Sequence, residues 1–501
     1  MKNFYITTPI YYVNDKPHLG GAYTTVAADV LARWHRMKGE KVFFITGVDE
    51  HGQKIAKSAQ EKNISPQELC DQRAAKYEQV WDTLKISYDR FIRTTEANHQ
   101  KIVEEFIQRL YDKKLIYLGE YQGLYCVSCE RYYTSKELIN DQCPYHKEKP
   151  IVLSEKCYFF KLSEFQKLLI KSIAENKLVI EPTERKNEIL GFLNSEKLDD
   201  LAISREKIEW GIPLPWDKTQ TVYVWVDALL NYLSGLNWNV KNKIWPKQWP
   251  ADIQLIGKDI LRFHAVLWPA LLLSLKAPLP KKIYAHGFFT VNGVKMSKSL
   301  GNVLDPEELA EIFGADALRW LLLSSFPFGQ DGDVSQSKFY EKYNTDLSNG
   351  LGNLCRRIQA LSRLGEKEFI PPKSTKSEFE AKINSVWDNY EKALEQFKFE
   401  NAINEICGLA SFCDKYINQE EPWRLFKTDL ARYQKVMYNL LEGLRHLAWL
   451  VQPFMPGKSD RIFEILNILS EEKKSKLSRG KFFGKSKFKG INQSEILFPK
   501  L

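Results

Sequence analysis

The spacing of apolar residues changes along the chain, and the changes mark its organisation. Residues 4–8 are aromatic and β-branched, which predicts a first strand. Over 22–38 the period becomes helical. Val26, Val30 and Trp34 recur every four residues, Ala27 and Leu31 fill the same side, and Gly39 stops the run. Residues 42–46 form an unbroken apolar run of the kind buried in a parallel sheet. Strand, glycine-containing turn (9–21), helix and strand make a βαβ unit. Helical patterns fill 52–80 and 97–114. Strand-like runs return at 221–226, 253–256 and 282–286, with a helix over 262–275, so a second α/β half completes the sheet. Residues 117–216 carry short strands, turns and cysteines and read as an insertion. Beyond Asp331 two stripes, Leu347/Leu351/Leu354/Ile358/Leu361 and Ile403/Ile406/Ala410/Cys413/Ile417, predict a helix bundle. The expected divisions are 1–116 (first α/β half), 117–216 (insertion), 217–285 (second half), 286–345 (a loop and contact region) and 346–501 (helical).

Composition narrows the function classes. The 501 residues are 44% hydrophobic, enough for several cores, and the net charge of +9 favours a nucleic-acid or phosphate partner. The N-terminus has no signal-peptide pattern, and the longest apolar run is broken at Trp268-Pro269. The expectation is a soluble protein of the cytoplasm, with an organellar matrix or stroma also open.

Four cysteines (Cys70, Cys355, Cys407, Cys413) are scattered through helical patterns, whereas Cys126, Cys129, Cys143 and Cys157 cluster. Cys126-x-x-Cys129 followed by Cys143-x-x-His146 supplies two knuckles that would close a tetrahedral structural Zn²⁺ site. Cys157 has no spacing partner.

Lys295-Met296-Ser297-Lys298-Ser299 lies between Gly293 and Gly301. Two ammonium groups three residues apart, with hydroxyls beside them, form an anion-binding surface, although most basic loops simply face water. Pro17-His18-Leu19-Gly20-Gly21 opens the first crossover helix, where free N–H groups and the helix dipole attract phosphate. It is not a G-x-G-x-x-G fingerprint, and alone it reads as a turn. Tyr12, Trp225, His264 and Trp268 read equally as core. Asn353 and Arg357 share a helix face, and Trp423 follows Glu421-Pro422. The basic stretch 473–489 reads either as a solvated tail or as an RNA contact.

The first and last phosphate motifs, set in two halves of one α/β domain, resemble those of the class I aminoacyl-tRNA synthetases. The strings Thr7-Thr8-Pro9-Ile10-Tyr11-Tyr12-Val13-Asn14, Thr46-Gly47-Val48-Asp49-Glu50-His51-Gly52, Tyr223-Val224-Trp225-Val226-Asp227-Ala228 and Ile256-Gly257-Lys258-Asp259-Ile260 are similar to the methionyl-tRNA synthetases of bacterial and organellar type. The resemblance covers the whole chain. It implies a Rossmann-like catalytic domain with a zinc-knuckle insertion and a helical anticodon-binding domain. The implied reaction joins L-methionine to tRNA(Met) through methionyl-adenylate, for initiation and elongation, with ATP and Mg²⁺.

By the same resemblance His18, Lys295 and Lys298 are catalytic. Gly20, Gly257, Asp259 and Ser297 join them around ATP. Pro9, Ile10, Tyr12, Asp49, Arg205, Trp225, Ala228, Tyr232, Ile260, His264 and Trp268 form the methionine pocket, with Asp49 taking the α-ammonium group (a helix N-cap role is the plain alternative). Asn353, Arg357 and Trp423 read the anticodon. The family's first signature usually ends in a second histidine; here that position is Gly21, so weaker ATP contact is expected. The insertion is too short for a separate editing domain, and a chain ending soon after the bundle is expected to be a monomer. The alternatives are another synthetase of the class, such as a cysteinyl-tRNA synthetase, and a non-catalytic nucleotide-binding or RNA-binding paralogue.

Overall fold

The computed structural model describes residues 2–14, 16–128, 131–133, 137–206, 209–240, 244–291, 293–295, 304–365, 368–369, 378–492 and 496–501. β1 (Asn3–Tyr12), α1 (Leu19–Met37) and β2 (Lys41–Asp49) form the expected βαβ unit. β1 runs beyond the predicted 4–8 because its pairing with β2 resumes after an irregularity between Thr7 and Ile10, aligning Tyr12 with Asp49. α1 starts before Ala22 because His18 caps it: its side chain accepts from the Gly20 and Gly21 amides. α2 (Gln53–Glu61) and α3 (Pro66–Thr83) divide the predicted 52–80 helix, and β3 (Arg90–Arg93), too short to show a period, precedes α4 (Ala97–Asp112).

β4 (Ile116–Cys126), β5 (Arg131–Tyr133) and β6 (Ile151–Phe160) make an antiparallel unit in which β6 also pairs β8 (Leu201–Ala202). Between them come α5 (Gln166–Ala174), β7 (Val179–Glu181) and α6 (Thr183–Ser195). β7 pairs in parallel with β12 (Lys282–His286), so the stretch read as one insertion, 117–216, also supplies an edge strand of the main sheet. Three residues are too few to announce that partnership.

β9 (Ser204–Arg205) pairs β10 (Thr221–Val222). The strand expected over 221–226 ends there, and Val224–Leu229 is helix α7, followed by α8 (Asn231–Ser234). Val226, Leu229, Leu230 and Leu233 are all buried, at helical spacing, so packing overrides their strand propensity. After β11 (Ile253–Gly257) the expected helix 262–275 is broken into a π-helical segment, Phe263–Leu267, and α9 (Trp268–Ser274).

The main sheet is six-stranded and parallel, in the order β3-β2-β1-β11-β12-β7. The chain leaves β1 towards β2 and later returns on its other side as β11, so a switch point lies between β1 and β11. Side chains alternate across the sheet: Phe4 and Ile6 join a core with α1 and α3, while Tyr5 joins another with α4, α7 and α9.

β13 (Phe289–Val291), β14 (Val294–Lys295) and β15 (Gly332–Val334) form a small sheet, with α10 (Pro306–Phe313) and α11 (Ala315–Ser324) between the last two. Then follow α12 (Gln336–Lys342), a π-helical segment (Tyr343–Gly352) and α13 (Asn353–Ser362). The bundle continues through α14 (Glu378–Glu395), α15 (Phe399–Glu420), α16 (Pro422–Thr428), α17 (Leu430–Val451) and α18 (Pro456–Ile465). Both predicted stripes are buried, and their core is continuous with that of α1 and the sheet. Short helices α19 (Leu469–Lys473) and α20 (Leu477–Gly480) lead to β17 (Phe488–Lys489), which pairs β16 (Glu368–Phe369).

Arg319 on α11 joins the two halves of the molecule. It is fully buried, pairs with Asp29 of α1 at 2.7 Å, and donates to the backbone oxygens of Leu84, Pro453 and Phe454. Among the described residues no helix is long and apolar enough to cross a membrane.

Candidate active site

Of the residues expected around ATP, His18 and Gly20 follow β1, and Gly257 ends β11 with Asp259 just after it, on the two sides of the switch point. His18 Nδ1 lies 3.1 Å from the Gly20 amide and 3.4 Å from that of Gly21. A Cβ on Gly20 would stand 3.0 Å from His18 Cε1, so glycine leaves room for the cap. Part of the His18 ring faces solvent, yet the surrounding atoms desolvate it. That lowers its pKa against the opposing charge of Asp259. With Nδ1 accepting, the proton of the neutral ring sits on Nε2, which is left to donate. Gly257 ends β11, and a Cβ there would lie 2.6 Å from Asp259 Oδ1. Gly21 is buried, with its missing Cβ 3.3 Å from the Tyr11 ring.

Of the basic loop, Lys295 closes the β13–β14 hairpin, while Ser297 and Lys298 lie outside the described residues. The hairpin's base is held by two aspartates that the sequence did not single out. Asp333 accepts from the Gly293 amide (2.6 Å), Thr290 Oγ1 (2.8 Å) and Lys338 Nζ (2.6 Å), which bring its pKa down to about 2. Asp331 accepts from Lys258 Nζ (2.7 Å) and the Phe288 amide (2.8 Å).

Pro9, Ile10 and Tyr12 lie at the carboxyl end of β1, with Asp49 beside Tyr12 at the end of β2. Trp225, Tyr232, His264 and Trp268 come together on α7–α9. His264 Nε2 lies 2.7 Å from Tyr232 Oη, its Nδ1 is 3.0 Å from the Ile260 oxygen, and the Tyr232 and Trp268 rings are 5.8 Å apart. Burial lowers the His264 pKa to about 4 despite the Ile260 bond, so the ring is neutral at pH 7 and takes the tyrosine proton's hydrogen bond. Trp225 stacks on Phe263 at 3.8 Å. Ala228 is buried one turn along α7. Arg205 is buried too; its guanidinium lies 4.5 Å over the Tyr223 ring and donates to the Ser204 oxygen at 2.6 Å.

Sequence reading missed Phe263 and a buried polar relay. Asp227 accepts from His51 Nδ1 (2.6 Å) and His99 Nε2 (2.7 Å), and His99 Nδ1 meets Ser234 Oγ (2.6 Å). Burial alone would raise the Asp227 carboxyl, but the two histidines outweigh it and hold it near 2. Asp227 stood inside a quoted string; His99 carries no local signal.

In the β4–β6 unit Cys126, Cys143 and His146 present donor atoms all within 4.8 Å of one another. Two sulfurs and an imidazole nitrogen suit a soft tetrahedral metal site. Cys129, the expected fourth ligand, lies outside the described residues, and Cys157 packs with Phe159 and Ala202.

In the bundle Arg357 reaches Asp414 and Asn418 of α15, each at 2.6 Å, and Asn353 Oδ1 accepts from Arg356 at 3.3 Å. Trp423, 39% exposed, is the second residue of α16, five residues beyond Asn418.

A parallel sheet with His18 and Asp259 close together at its switch point, an aromatic cluster on the helical segments flanking β11 and a C-terminal helical bundle have the architecture of a class I aminoacyl-tRNA synthetase. A family model for class I tRNA synthetases (M) matches residues 4–149 and 129–359, and one for the anticodon binding domain of methionyl tRNA ligase matches 371–500. The methionine–tRNA ligase of Caldanaerobacter subterraneus subsp. tengcongensis is 42% identical over 507 residues, covering 100% of this chain and 79% of that protein. That of Streptomyces coelicolor is 42% identical over 483 residues, covering 93% and 90%. The Mycobacterium tuberculosis methionyl-tRNA synthetase in complex with methionyl-adenylate superposes with a TM-score of 0.92 at 34% identity, covering 100% of both chains. The chain belongs to the methionyl-tRNA synthetase family.

Proposed function

We propose that this chain is a methionine–tRNA ligase that activates L-methionine with ATP and passes it to tRNA(Met), for initiation and elongation. What supports the reading is that His18 and Gly20 follow β1, while Gly257 ends β11 beside it and Asp259 comes just after, close enough to act on His18. Trp225, Tyr232, His264 and Trp268 pack together on the helical segments before and after β11.

The methionine carboxylate is ionised at neutral pH, so its attack on the α-phosphorus needs no general base. Catalysis is positioning and charge stabilisation. Nε2–H of neutral His18 donates to the triphosphate from one side, and Lys295, Ser297 and Lys298 hold it from the other as pyrophosphate leaves. Gly20 lets the nucleotide lie against α1, and Gly257 and Asp259 take the ribose side. Asp49 receives the α-ammonium group, with Arg205 near it. Pro9, Ile10, Tyr12, Trp225, Ala228, Tyr232, Ile260, His264 and Trp268 enclose the thioether, a soft group that favours aromatic rings. Asn353, Arg357 and Trp423 meet anticodon bases by hydrogen bonding and stacking. Mg²⁺ arriving with ATP offsets phosphate charge. Zn²⁺ on Cys126, Cys129, Cys143 and His146 would hold the knuckle's turns together.

The test is methionine-dependent ATP–pyrophosphate exchange followed by methionylation of tRNA(Met). Lys298→Ala is expected to slow exchange by about 3 kcal/mol of barrier, with little change in methionine KM. An unchanged rate would remove Lys298 from the mechanism.

A further inference from the structure

The basic stretch left open by the sequence is not a loose tail. Leu477, Phe483 and Phe488 are buried, and the backbone is stitched to α17. Arg445 donates to the Gly480 oxygen (2.8 Å) and the Phe482 oxygen (2.7 Å), Tyr438 Oη to the Ser486 oxygen (2.8 Å), and the Gly484 amide to Glu442 (3.2 Å). Arg445 and Glu442 are themselves a buried pair at 2.9 Å. A segment that only had to stay soluble would need none of these bonds.

What this anchoring presents outward is of one sign. No acidic residue occurs between Lys473 and Lys489, and among the described residues only Lys473 (with Asp460) and Lys481 (with Glu391) of the stretch form salt bridges. Lys485, Lys487 and Lys489 are exposed, whereas Ser486 is partly buried and Phe488 fully so, so the three lysines face solvent while the residues between them turn inward. Phe482 is 54% exposed, and Lys485 Nζ lies 3.8 Å from its ring centroid. A half-exposed aromatic ring with one ammonium group against it and two more exposed lysines close by in sequence is a pairing that holds unpaired bases and their phosphates. Lys481 also lies over Trp387 of α14, so the surface follows α14 and α17.

We propose that 482–489 is a second RNA-contacting surface, with Phe482 as a stacking platform and Lys485, Lys487 and Lys489 facing the phosphate backbone. It rests on the reading of tRNA as substrate and adds a contact that is independent of the anticodon.

Two variants of the full chain test it: Phe482→Ala, and Lys485→Gln/Lys487→Gln/Lys489→Gln together. Because these side chains are exposed, thermal unfolding is expected to be unchanged. Methionine-dependent pyrophosphate exchange, which needs no tRNA, is expected to stay at the wild-type rate. Binding of tRNA(Met) transcript is expected to weaken roughly tenfold in the lysine variant. The slope of log affinity on log salt should fall by about two, as lost phosphate contacts require. A transcript with an altered anticodon should show the same relative loss. Phe482→Ala should weaken binding several-fold without changing the salt slope. Unchanged affinity and slope in the lysine variant would overturn the proposal, as would a loss seen only with anionic phosphatidylserine vesicles. A wild-type chain inactive in exchange would instead count against the catalytic reading, since transcript binding is measured separately.

Discussion

Thr24 of α1 and His286 at the end of β12 are joined by a 2.6 Å hydrogen bond between Oγ1 and Nε2. His286 Nδ1 lies 2.8 Å from the Gly287 oxygen, and burial lowers the ring's pKa to about 4, so it is neutral and Nε2 accepts from Thr24. The bond ties the helix that begins at His18 to the strand leading into the Lys295 hairpin. Thr24→Val is expected to slow pyrophosphate exchange about tenfold, since a buried acceptor loses a partner worth roughly 1–3 kcal/mol. Methionine KM should hold. Wild-type exchange would show that the two phosphate motifs do not depend on this bond.

Gly21 cannot simply take back a histidine. Tyr11, which covers it, stacks on Tyr77 with ring centroids 5.7 Å apart, meets the Trp81 edge at 5.6 Å, and donates to the Gly21 oxygen at 3.1 Å. Gly21→His must displace that ring. The expected outcome is a loss of about 1–3 kcal/mol in stability with no gain in ATP affinity. Tighter ATP binding at an unchanged melting temperature would show that the site has room after all.

Tyr232→Phe removes the donor to His264 Nε2 inside the aromatic pocket. Methionine KM in the exchange assay is expected to rise about tenfold, matching the roughly 1–3 kcal/mol cost of an unsatisfied buried nitrogen. ATP KM should move little. Equal effects on both substrates would place the damage outside the amino-acid pocket.

Stability should fall as the medium is acidified from pH 6.5 towards 4. Burial holds His264, His286 and His446 near 4, below the ordinary histidine value of 6.5. The unfolded chain therefore takes up protons first, and stabilisation present above 6.5 is lost through this window, at up to ~1.4 kcal/mol per pH unit for each ring. Denaturant unfolding at stepped pH checks this; a flat profile from 6.5 to 4.5 would contradict it.

Strong local periods were legible in the sequence. The β1–α1–β2 unit and the stripe from Leu347 to Leu361 were readable because burial on one side repeats at a fixed interval. Elements whose form is set by distant partners were not. Val224–Leu229 has strand-like composition but is helical because its apolar positions face a core assembled elsewhere. β7 is three residues long, and only β12 makes it a strand. In the site, the turn holding His18, Gly20 and Gly21 at the start of α1 was visible from its spacing, whereas its role and that of Gly257 came from the family resemblance. His99, Asp331 and Asp333 were not, because their partners are far away in sequence or lie in irregular backbone.

Arg319 ties the bundle to the helix that His18 caps. Asp29, which it grips, lies eleven residues along α1 from His18, or about 16 Å of helix. A tilt of only 5° about that grip would swing the imidazole by roughly 1.4 Å, and misplacement of about 1 Å is enough to cost a hundredfold in rate. On the proposed reading of His18, the stiffness of a joint far from the substrates would set a tolerance on the reaction itself.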